Sequence, residues 1–503
     1  MIDELLPDLS QTICAVSTPH GAGGIAVIRV CGPEAIVVVS RVWKGADLHK
    51  ADSHTAHLGH LVDHETGDEL DQCVATVFRA PRSYTGEDTV EISVHGSKWI
   101  QREAVALLTT KGGARVASRG EYTRRALAHG RLDLAQAEGV ADLIASSSRA
   151  AHRIALSQMK GSVTEALSRL REKLIKLAAL IELELDFSEE DVEFVDREEL
   201  ASLASEILTE VNHLRDSYAR GNAIKDGIPV AIVGPTNAGK SSLLNVLLDD
   251  NRAIVSDIHG TTRDTIEETL EIGDYLFRFI DTAGLRDTDD PIEQIGISRS
   301  RQAIETAHIL IVMVDSLTVD TRDDINRIIH ETIPTVESSV RHIIIALNKI
   351  DLLPTPSAIE NIVNETSFDN ESAHADARII PISTKTNAGI SLLTDQLLEI
   401  ASATDSDQIL ITSQRQAQSL ADASNALGNL LKGLKSKSDF ASQDNEVKSD
   451  DSDNENLLSN YPLQTDLLAI HLREAIHHLS SITDPITTPD ILNTIFQSFC
   501  IGK

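Results

Sequence analysis

A glycine-rich loop at residues 234–241 (Gly-Pro-Thr-Asn-Ala-Gly-Lys-Ser) carries the residue types that bind a polyphosphate. It follows an apolar run at residues 228–233 and precedes a helix-like run at residues 241–248, which is the context that a P-loop requires. Glycines let backbone N–H groups approach the phosphates, Lys240 supplies a mobile positive charge, and the Ser241 hydroxyl is a ligand for magnesium. The loop therefore predicts phosphate binding. A chance glycine-rich turn would be the alternative only if the loop stood alone.

Four further motifs follow in the order that is typical of a guanine-nucleotide switch. They are residues 260–264 (Gly-Thr-Thr-Arg-Asp), 281–284 (Asp-Thr-Ala-Gly), 348–351 (Asn-Lys-Ile-Asp) and 383–385 (Ser-Thr-Lys). Asp281 is suited to hold the metal through a water, Thr262 to offer it a second hydroxyl, and the N–H of Gly284 to sense the γ-phosphate. The two acceptor oxygens of Asp351 match the adjacent N–H and NH₂ donors of guanine, a pair that adenine lacks. The motifs predict GTP rather than ATP.

Leu285 occupies the position that orients the attacking water in Ras-like enzymes. Those enzymes have a glutamine after the Asp-x-x-Gly motif, and an arginine finger offsets charge in their transition state. Leucine does neither. The sequence therefore predicts that another residue positions the water and that another cation replaces the finger.

Length, composition and charge limit the number of domains, the kind of partner and the compartment of this protein. With 503 residues, of which 41% are hydrophobic, the chain is long enough for about three domains. Its net charge of −32 argues against a broad basic surface for nucleic acid, so RNA contacts are expected to be local or carried by a partner. The acidic N-terminus and the absence of any apolar run near ~18 residues predict a soluble, cytoplasmic protein.

The four cysteines, Cys14, Cys31, Cys73 and Cys500, have no C-x-x-C spacing and no clustered histidines beside them. A zinc site or a disulfide framework is therefore not expected, and reduced cytosolic thiols fit the pattern better. Cys500 is open to two interpretations, a chemically active thiol or a buried thiol that packs as a small hydrophobe.

The pattern of apolar residues predicts a multidomain protein, α/β plus all-α, in which a nucleotide domain interrupts a helical bundle. The predicted parts are an N-terminal α/β domain at residues 1–125, a first helical part at 126–222, a Ras-like P-loop GTPase domain at 223–402, and a second helical part at 403–503. Within the last part, an acidic insertion at about 436–460 is expected to be disordered, and no role is assigned to it.

Two loops of the predicted N-terminal domain are richer in polar residues and glycine than simple connections need. They are residues 18–24 (Thr-Pro-His-Gly-Ala-Gly-Gly), before a strand-like run at 25–30, and residues 83–88 (Ser-Tyr-Thr-Gly-Glu-Asp), before a second such run at 89–93. From these residues alone, turns that fold back on a sheet and a binding site are equally good interpretations.

The order of these parts resembles the family of tRNA modification GTPases known as MnmE or TrmE, over essentially the whole chain. Besides the nucleotide motifs, the resemblance includes residues 120–125 (Gly-Glu-Tyr-Thr-Arg-Arg), 131–138 (Arg-Leu-Asp-Leu-Ala-Gln-Ala-Glu), 281–286 (Asp-Thr-Ala-Gly-Leu-Arg) and 499–503 (Phe-Cys-Ile-Gly-Lys). Ordinary GTPases lack this combination. The resemblance implies an N-terminal folate-binding domain that dimerises, a helical domain made of two separated segments, and an inserted G domain.

The resemblance also implies a reaction and its participants. With a flavoprotein partner of the MnmG or GidA type, such proteins install an aminomethyl or carboxymethylaminomethyl group on C5 of the wobble uridine, U34, of certain tRNAs. The partner carries FAD and uses NADH, and 5-formyltetrahydrofolate or another tetrahydrofolate supplies the one-carbon unit. The expected assembly is a homodimer that forms a heterotetramer with the partner, without a membrane.

Carried over by position, the family's nucleotide site covers a larger set of residues here: Asn237, Ala238, Gly239, Lys240, Ser241, Ser242, Ser256, Asp257, Ile258, His259, Gly260, Thr261, Thr262, Asp281, Thr282, Ala283, Gly284, Asn348, Lys349, Ile350, Asp351, Ser383, Thr384 and Lys385. Magnesium is assigned to Ser241 and Thr262. Two departures from the family pattern are Thr236, where proline is usual, and Thr384, where alanine is commoner.

The resemblance implies that potassium replaces the arginine finger, bound by the Asn237 side chain, by Thr261 and by the backbone carbonyls of Ser256 and Ile258. Glu293 matches the general base that acts on water through a bridging water, which would compensate for Leu285.

The family's folate contacts match four residues, Arg29, Glu91, Arg131 and Lys503. Basic groups suit the carboxylates of the cofactor, and an acidic group suits the N–H donors of its pterin. Cys500 matches the cysteine of the C-terminal motif, and we expect it to be needed for tRNA modification but not for GTP hydrolysis.

Three functions compete at this stage: a GTP-driven tRNA-modifying enzyme, a regulatory GTPase that docks a partner such as the ribosome, and a stand-alone folate enzyme. The first is favoured. A docking switch has no need of Cys500 and the folate-like residues, and a stand-alone folate enzyme has no use for a G domain.

Overall fold

The computed structural model describes residues 8–187, 197–250, 268–280, 306–319, 321, 323–325, 327–328, 342–353, 377–403, 409–435, 465–484 and 502. The chain divides into two compact units. The first comprises Met1–Ile144, Ala155–His213 and Gln418–Lys503, and the second comprises Ala145–Ile154 and Leu214–Ala417. The first unit therefore joins segments that precede and follow most of the second in the sequence.

The first unit begins with a sheet that has seven strands in the described residues. The strands are β1 Ile13–Val16, β2 Ile25–Cys31, β3 Trp43–Gly45, β4 Thr55–Val62, β5 Glu69–Phe78, β6 Thr89–His95 and β7 Arg115–Val116. Their order across the sheet is β3-β4-β5-β6-β2-β1-β7. Only the pairing of β1 with β7 is parallel among these strands.

Alternation along the central strands places the apolar core on one face of this sheet and polar residues on the other. Ile28 and Val30 of β2 and Ile92 of β6 are fully buried in a core that includes helix α1, Ala35–Ser40, and helix α2, Lys98–Leu107. Because successive side chains of a strand point to opposite faces, Arg29 and Glu91 lie on the other face. The strands predicted near residues 25–30 and 89–93 are confirmed.

Helices follow the sheet. They are α3 Glu121–Ala128, α4 Leu134–Ala145, α5 Arg149–Met159, α6 Ser162–Phe187 and α7 Arg197–Asp226. Val163, Leu170 and Leu177 of α6 are buried. Because residues two helical turns apart share a face, they form one apolar stripe along this helix.

The second unit is built on a sheet that has six strands in the described residues. The strands are β8 Ile228–Val233, β9 Glu268–Ile272, β10 Tyr275–Ile280, β11 Ile309–Asp315, β12 His342–Asn348 and β13 Arg378–Pro381, in the spatial order β13-β12-β11-β8-β10-β9. All pairs are parallel except β9 with β10. Near-continuous apolar runs such as β11 are expected of strands that are buried on both faces.

Two helices share a core on one face of this sheet. They are α8 Lys240–Asp250 and α9 Ile390–Ala403, and their Leu243 and Leu397 are fully buried in the same cluster as Ile311 of β11. Leu310 and Val312, which alternate with Ile311, belong to a second apolar cluster. The carboxyl ends of the parallel strands consequently gather at one edge, where ligands bind in open α/β sheets.

The last two helices, α10 Gln414–Lys435 and α11 Thr465–Thr483, return the chain to the first unit. Helix α11 packs against α6. The Ser424 hydroxyl of α10 donates to Asn212 Oδ1 of α7 at 2.7 Å. Helices that precede and follow residues 228–403 in the sequence therefore pack together. The predicted acidic insertion at about 436–460 lies outside the described residues.

Candidate functional site

The loop between β8 and α8 has the backbone that a polyphosphate cradle needs. Gly234 has φ +142°, and a Cβ atom there would lie 2.3 Å from the carbonyl oxygen of Met313. Gly239 has φ +102°, and its Cβ would lie 2.2 Å from Asn348 Nδ2. Between them, Asn237 adopts φ +64°, a left-handed conformation that asparagine tolerates better than most residues. Both glycines are therefore required by conformation and by close packing.

Lys240 and Ser241 stand in the first turn of α8, directly after this loop. The ammonium of Lys240 donates to the carbonyl oxygens of Gly234 and Pro235, at 2.9 Å each. Burial lowers the pKa of Lys240. The loop thus holds a half-buried cation beside its own backbone and beside the hydroxyls of Ser241 and Ser242, a donor set that fits a magnesium-bound polyphosphate.

Asn348, at the end of β12, connects the glycine loop to the loops predicted to recognise the base. Its side chain is 1% exposed. Nδ2 donates to the carbonyl oxygen of Ala238 at 2.8 Å and to Thr384 Oγ1 at 3.3 Å, and Oδ1 accepts from the Thr384 N–H at 3.1 Å. One buried amide therefore holds together three loops that are far apart in the sequence.

The carboxylate of Asp351 is exposed and is oriented by one hydrogen bond. Its Oδ1 accepts a hydrogen bond of 2.7 Å from the Ser383 hydroxyl. Ser383 is itself fully buried and anchored by its N–H to the carbonyl of Ala388 at 2.8 Å. Because each carboxylate oxygen has two lone pairs, Asp351 keeps acceptors for the two donors of guanine. Lys385 follows this loop and is exposed.

Sequence reasoning missed the partner of Lys349. Lys349 has φ +68°, and its ammonium donates to Asp315 Oδ2 at 2.6 Å. Asp315 ends β11, next to β12 in the sheet, with the register Asp315–Asn348. An acidic residue directly after a buried strand was the available signal, because carboxyl ends of neighbouring parallel strands meet at one edge.

The remaining predicted nucleotide and chemical residues lie outside the described residues: Ser256, Asp257, Ile258, His259, Gly260, Thr261, Thr262, Asp281, Thr282, Ala283, Gly284, Glu293, Cys500 and Lys503. Asp281 follows Ile280, the last residue of β10, whose register partner on β8 is Ala231. The strand that leads to Asp281 therefore pairs with the strand that leads to the glycine loop.

A second group of predicted residues lies on the other face of the N-terminal sheet, where Tyr122 of α3 packs. Arg29 and Glu91 are register partners on β2 and β6. Arg29 Nε and Nη2 both donate to Glu91 Oε1, at 2.9 and 2.8 Å. The guanidinium carbon lies 5.4 Å from the centre of the Tyr122 ring and 5.7 Å from that of Tyr84, within cation–π range. The cation is thus bound within the protein, and it orients the Glu91 carboxylate.

Arg131 reaches the same region through the loop of residues 83–88. A Cβ atom at Gly86 would lie 3.3 Å from Arg131 Cγ, so the stem of Arg131 packs against this loop. Tyr84, two residues earlier, packs over Arg29. The two predicted arginines therefore contact the same short loop, at Tyr84 and at Gly86. Tyr84 lies in a stretch that the sequence marked as unusually polar, but its contact with Arg29 was not predicted.

The C-terminal motif reaches this sheet through Gly502. Its carbonyl oxygen accepts from the Ser17 hydroxyl at 3.1 Å, and a Cβ atom there would lie 2.4 Å from the carbonyl oxygen of Val16. Val16 is the last residue of β1, and the residue before it, Ala15, is the register partner of Arg29 on β2. Gly502 therefore meets the sheet at the end of β1, the strand beside β2, which carries Arg29.

Three of the cysteines are free and buried: Cys14, Cys31 and Cys73. Burial raises the pKa of each thiol to about 12. They are therefore unreactive as nucleophiles at neutral pH. The described part of the chain has no cluster of three or more His, Cys, Asp or Glu side chains arranged for a metal ion, and no helix in it is long and apolar enough to span a membrane.

Comparison with known proteins places the whole chain beside one group. The family profile described as MnmE helical domain matches residues 134–500, and the profile described as GTP-binding protein TrmE N-terminus matches residues 12–131. The tRNA modification GTPase MnmE of Christiangramia forsetii is 43% identical over 98% of this chain and 100% of its own length. The protein of the same name from Parabacteroides distasonis is 45% identical, with the same coverage.

A solved structure, the G domain of the T. maritima FeoB iron transporter, is 21% identical to 35% of this chain and is itself covered to 98%, with a TM-score of 0.24. At that score we draw nothing from the likeness.

Proposed function

The chain belongs to the MnmE family of tRNA modification GTPases, and we propose that it couples GTP hydrolysis to modification of C5 of the wobble uridine in certain tRNAs. Membership makes it a GTP hydrolase that takes part in tRNA modification. The proposed product is an aminomethyl or carboxymethylaminomethyl group, made together with a flavoprotein of the MnmG or GidA type that carries FAD and uses NADH.

One observation carries the nucleotide part of this proposal. The hydrogen bond of 2.8 Å from Asn348 Nδ2 to the Ala238 carbonyl joins the phosphate cradle to the loop that presents Asp351. A single guanine nucleotide can therefore place its phosphates at the glycine loop and its base at Asp351. We assign the γ-phosphate and magnesium contacts to Ser241 together with residues 256–262 and 281–284.

Potassium is the cation that we propose in place of an arginine finger. Asn237 supports this assignment, because it is an exposed residue of the glycine loop and has a left-handed backbone between the closely packed Gly234 and Gly239. Ser256, Ile258 and Thr261 would complete the oxygen ligands, and Glu293 would act on the attacking water in place of the glutamine that Leu285 replaces.

A reduced folate is the ligand that we propose for the face around Arg29. Glu91 Oε1 is occupied twice by Arg29, so both oxygens are held in one orientation in which Oε2 can accept from a pterin N–H. Arg131 and Lys503 would serve the carboxylates. When bound, a tetrahydrofolate would supply the one-carbon unit, and Glu91, Arg29 and Arg131 would fix its position.

The assembly is also part of the proposal. We infer a homodimer through the N-terminal domain, residues 1–125, and a heterotetramer with the flavoprotein. The boundaries at 126–222, 223–402 and 403–503 stay predictions. Buried free thiols such as Cys31 are consistent with a reducing compartment, the cytoplasm.

Reconstitution with tRNA, the flavoprotein, 5-formyltetrahydrofolate and GTP tests this function, with the mass of the wobble nucleoside as the readout. We expect a product that needs all four components. A regulatory GTPase that only docks a partner such as the ribosome is the alternative, and it would leave the wobble uridine unmodified while hydrolysing GTP normally.

Cys500→Ser separates the chemical role of the C-terminal motif from the nucleotide cycle. The variant keeps size and loses thiolate nucleophilicity, so we expect GTP hydrolysis at the wild-type rate and no modified tRNA. Modification at an unchanged rate would leave Cys500 without a chemical role.

A further inference from the structure

Arg125 on α3 is a fully buried arginine that is held between two carboxylates. Nη1 donates to both oxygens of Glu87, at 3.0 and 3.2 Å. Nη2 donates to Glu121 Oε1 at 3.2 Å and to the carbonyl of Gln11 at 2.7 Å. The exposed fractions of Arg125, Glu87 and Glu121 are 0%, 8% and 1%. Because the desolvation of buried charges offsets much of their attraction, such a pair is a poor source of net stability.

The two carboxylates belong to different parts of the domain. Glu121 lies four residues before Arg125 on the same helix, whereas Glu87 lies in the loop of residues 83–88. A second bond fastens the same loop to the same helix, since the Tyr84 hydroxyl and Thr123 Oγ1 lie 2.9 Å apart. The loop is therefore attached to α3 at two points, and Glu87 provides the charged one.

Glu87 also connects the loop to the strand that carries Arg29. The thiol of Cys31, at the end of β2, donates to Glu87 Oε2 at 3.2 Å. Burial, followed by the charge of Glu87, raises the pKa of Cys31 to about 12, so the thiol keeps its proton. Both oxygens of Glu87 are thus occupied by groups on β2 and α3.

This loop carries contacts to both arginines of the proposed folate site. Tyr84 packs over the guanidinium of Arg29, and Gly86 packs against the stem of Arg131. Tyr84 and Gly86 lie within three residues of Glu87 in the sequence. A displacement of Glu87 would therefore also displace Tyr84 from Arg29 and Gly86 from Arg131.

We propose that Glu87 and Arg125 are positioning residues, which hold the loop of residues 83–88 so that a reduced folate meets Tyr84, Arg29 and Arg131 in one arrangement. The inference rests on the proposed folate site. A loop that is already ordered by a buried ion pair loses less conformational entropy on binding. Its affinity for the ligand is therefore higher.

Two matched variants test the proposal in the full-length protein. Glu87→Gln and Glu121→Gln each keep the side-chain shape, and each removes one carboxylate from Arg125. Only Glu87 belongs to the loop. We expect both to lower the melting temperature, but only Glu87→Gln to weaken 5-formyltetrahydrofolate binding, by roughly tenfold, with Glu121→Gln within about twofold of wild type in a calorimetric titration.

A kinetic readout excludes a general loss of structure. In the reconstituted reaction, Glu87→Gln should raise the KM for folate and leave kcat at saturating folate near the wild-type value, because a saturating ligand can order the loop. GTP turnover should not change in either variant. If Glu87→Gln does not fold, Thr123→Val replaces it, since it releases the uncharged attachment of Tyr84 and should weaken folate binding by about threefold.

The outcomes separate this proposal from the function on which it rests. Equal losses of folate affinity in Glu87→Gln and Glu121→Gln, or no loss in Glu87→Gln and Thr123→Val, would overturn the positioning role alone, provided that wild type binds folate and Arg29→Ala does not. A wild-type protein that does not bind folate would overturn both the folate site and the positioning role.

Discussion

Asp351 is the residue to which we assign the choice of base. Its carboxylate is oriented by Ser383, and Asp351→Asn would replace one of its two acceptors by a donor that opposes a guanine donor. We expect Asp351→Asn to weaken GTP binding by roughly 10- to 100-fold, in keeping with about 1.5–3 kcal/mol for a hydrogen bond to a charged group. Competition between GTP and ATP for the wild type and the variant measures the change.

Ser383→Ala is the control for this prediction, because it removes the orienting hydroxyl and keeps both acceptors. It should cost less than tenfold in GTP affinity and leave the preference over ATP intact. Unchanged discrimination between GTP and ATP in Asp351→Asn would contradict the assignment of Asp351 as the guanine acceptor.

Glu121 predicts a pH dependence of stability. Burial on its own would raise its pKa, but the hydrogen bonds from Arg115 and from the N–H of Ser118, with the charges of Arg115 and Arg125, hold the pKa at about 2. The usual value is 4.5, so the ionised form is favoured in the folded state. Its contribution is complete above pH ~4.5 and is lost as the pH falls towards 2.

From this shift, ionised Glu121 stabilises the folded state by on the order of 3 kcal/mol more than the protonated carboxyl would at neutral pH. Melting temperatures of the wild type and of Glu121→Gln should therefore differ most above pH 5, and the difference should shrink as the pH falls from about 4.5 towards 2. A difference in melting temperature that is the same at pH 7 and pH 3 would show that the charge of Glu121 is not responsible.

Two neighbouring residues of helix α6 are expected to contribute differently to the free energy of unfolding. Leu174 is fully buried. The side chain of Lys173 is 32% exposed, and its ammonium forms ion pairs with Glu206 and Glu210 of α7 at 2.7 and 2.6 Å. Alanine suits a helix at either position. We expect Leu174→Ala to cost about 2–5 kcal/mol and Lys173→Ala less than about 1 kcal/mol.

Chemical denaturation followed by far-ultraviolet circular dichroism checks this difference, with GTP turnover as a control for the second unit. A larger loss in Lys173→Ala than in Leu174→Ala would mean that ion pairs, not apolar packing, hold α6 against its neighbours.

GTP hydrolysis by the whole molecule should depend on potassium and on the pairing of two G domains. Without a cation near the β- and γ-phosphates, charge in the transition state stays uncompensated, and an arginine finger in that place is worth roughly 10³–10⁵ in rate. Potassium should therefore stimulate turnover by at least about tenfold over sodium at equal ionic strength, and Asn237→Ala should remove the difference.

Glu293→Ala separates the chemical step from binding in the same assay. A group that acts on the attacking water contributes only in the transition state, so the variant should hydrolyse GTP slowly and bind it normally. Equal wild-type rates in potassium and sodium would contradict the cation mechanism, and wild-type turnover in Glu293→Ala would exclude that residue as the base.

The sequence by itself determined the features that depend on near neighbours. The glycine loop, the strand before it and the helix after it are contiguous, and their residue spacing predicts a phosphate cradle. The stripe of α6 likewise follows from the helical period, because residues three and four apart share a face. Those predictions needed no knowledge of distant segments.

Only the tertiary structure decided which distant segments meet. Asn348 bonds to Ala238 across 110 residues, Ser17 bonds to Gly502 across 485, and Arg125 bonds to Glu87 across 38. Strand order and register set these contacts, and neither is encoded in local spacing. The buried Arg125 could not be recognised from its surroundings in the sequence, because an arginine in a polar motif is ordinarily exposed, and its burial depends on two carboxylates that the fold brings to it.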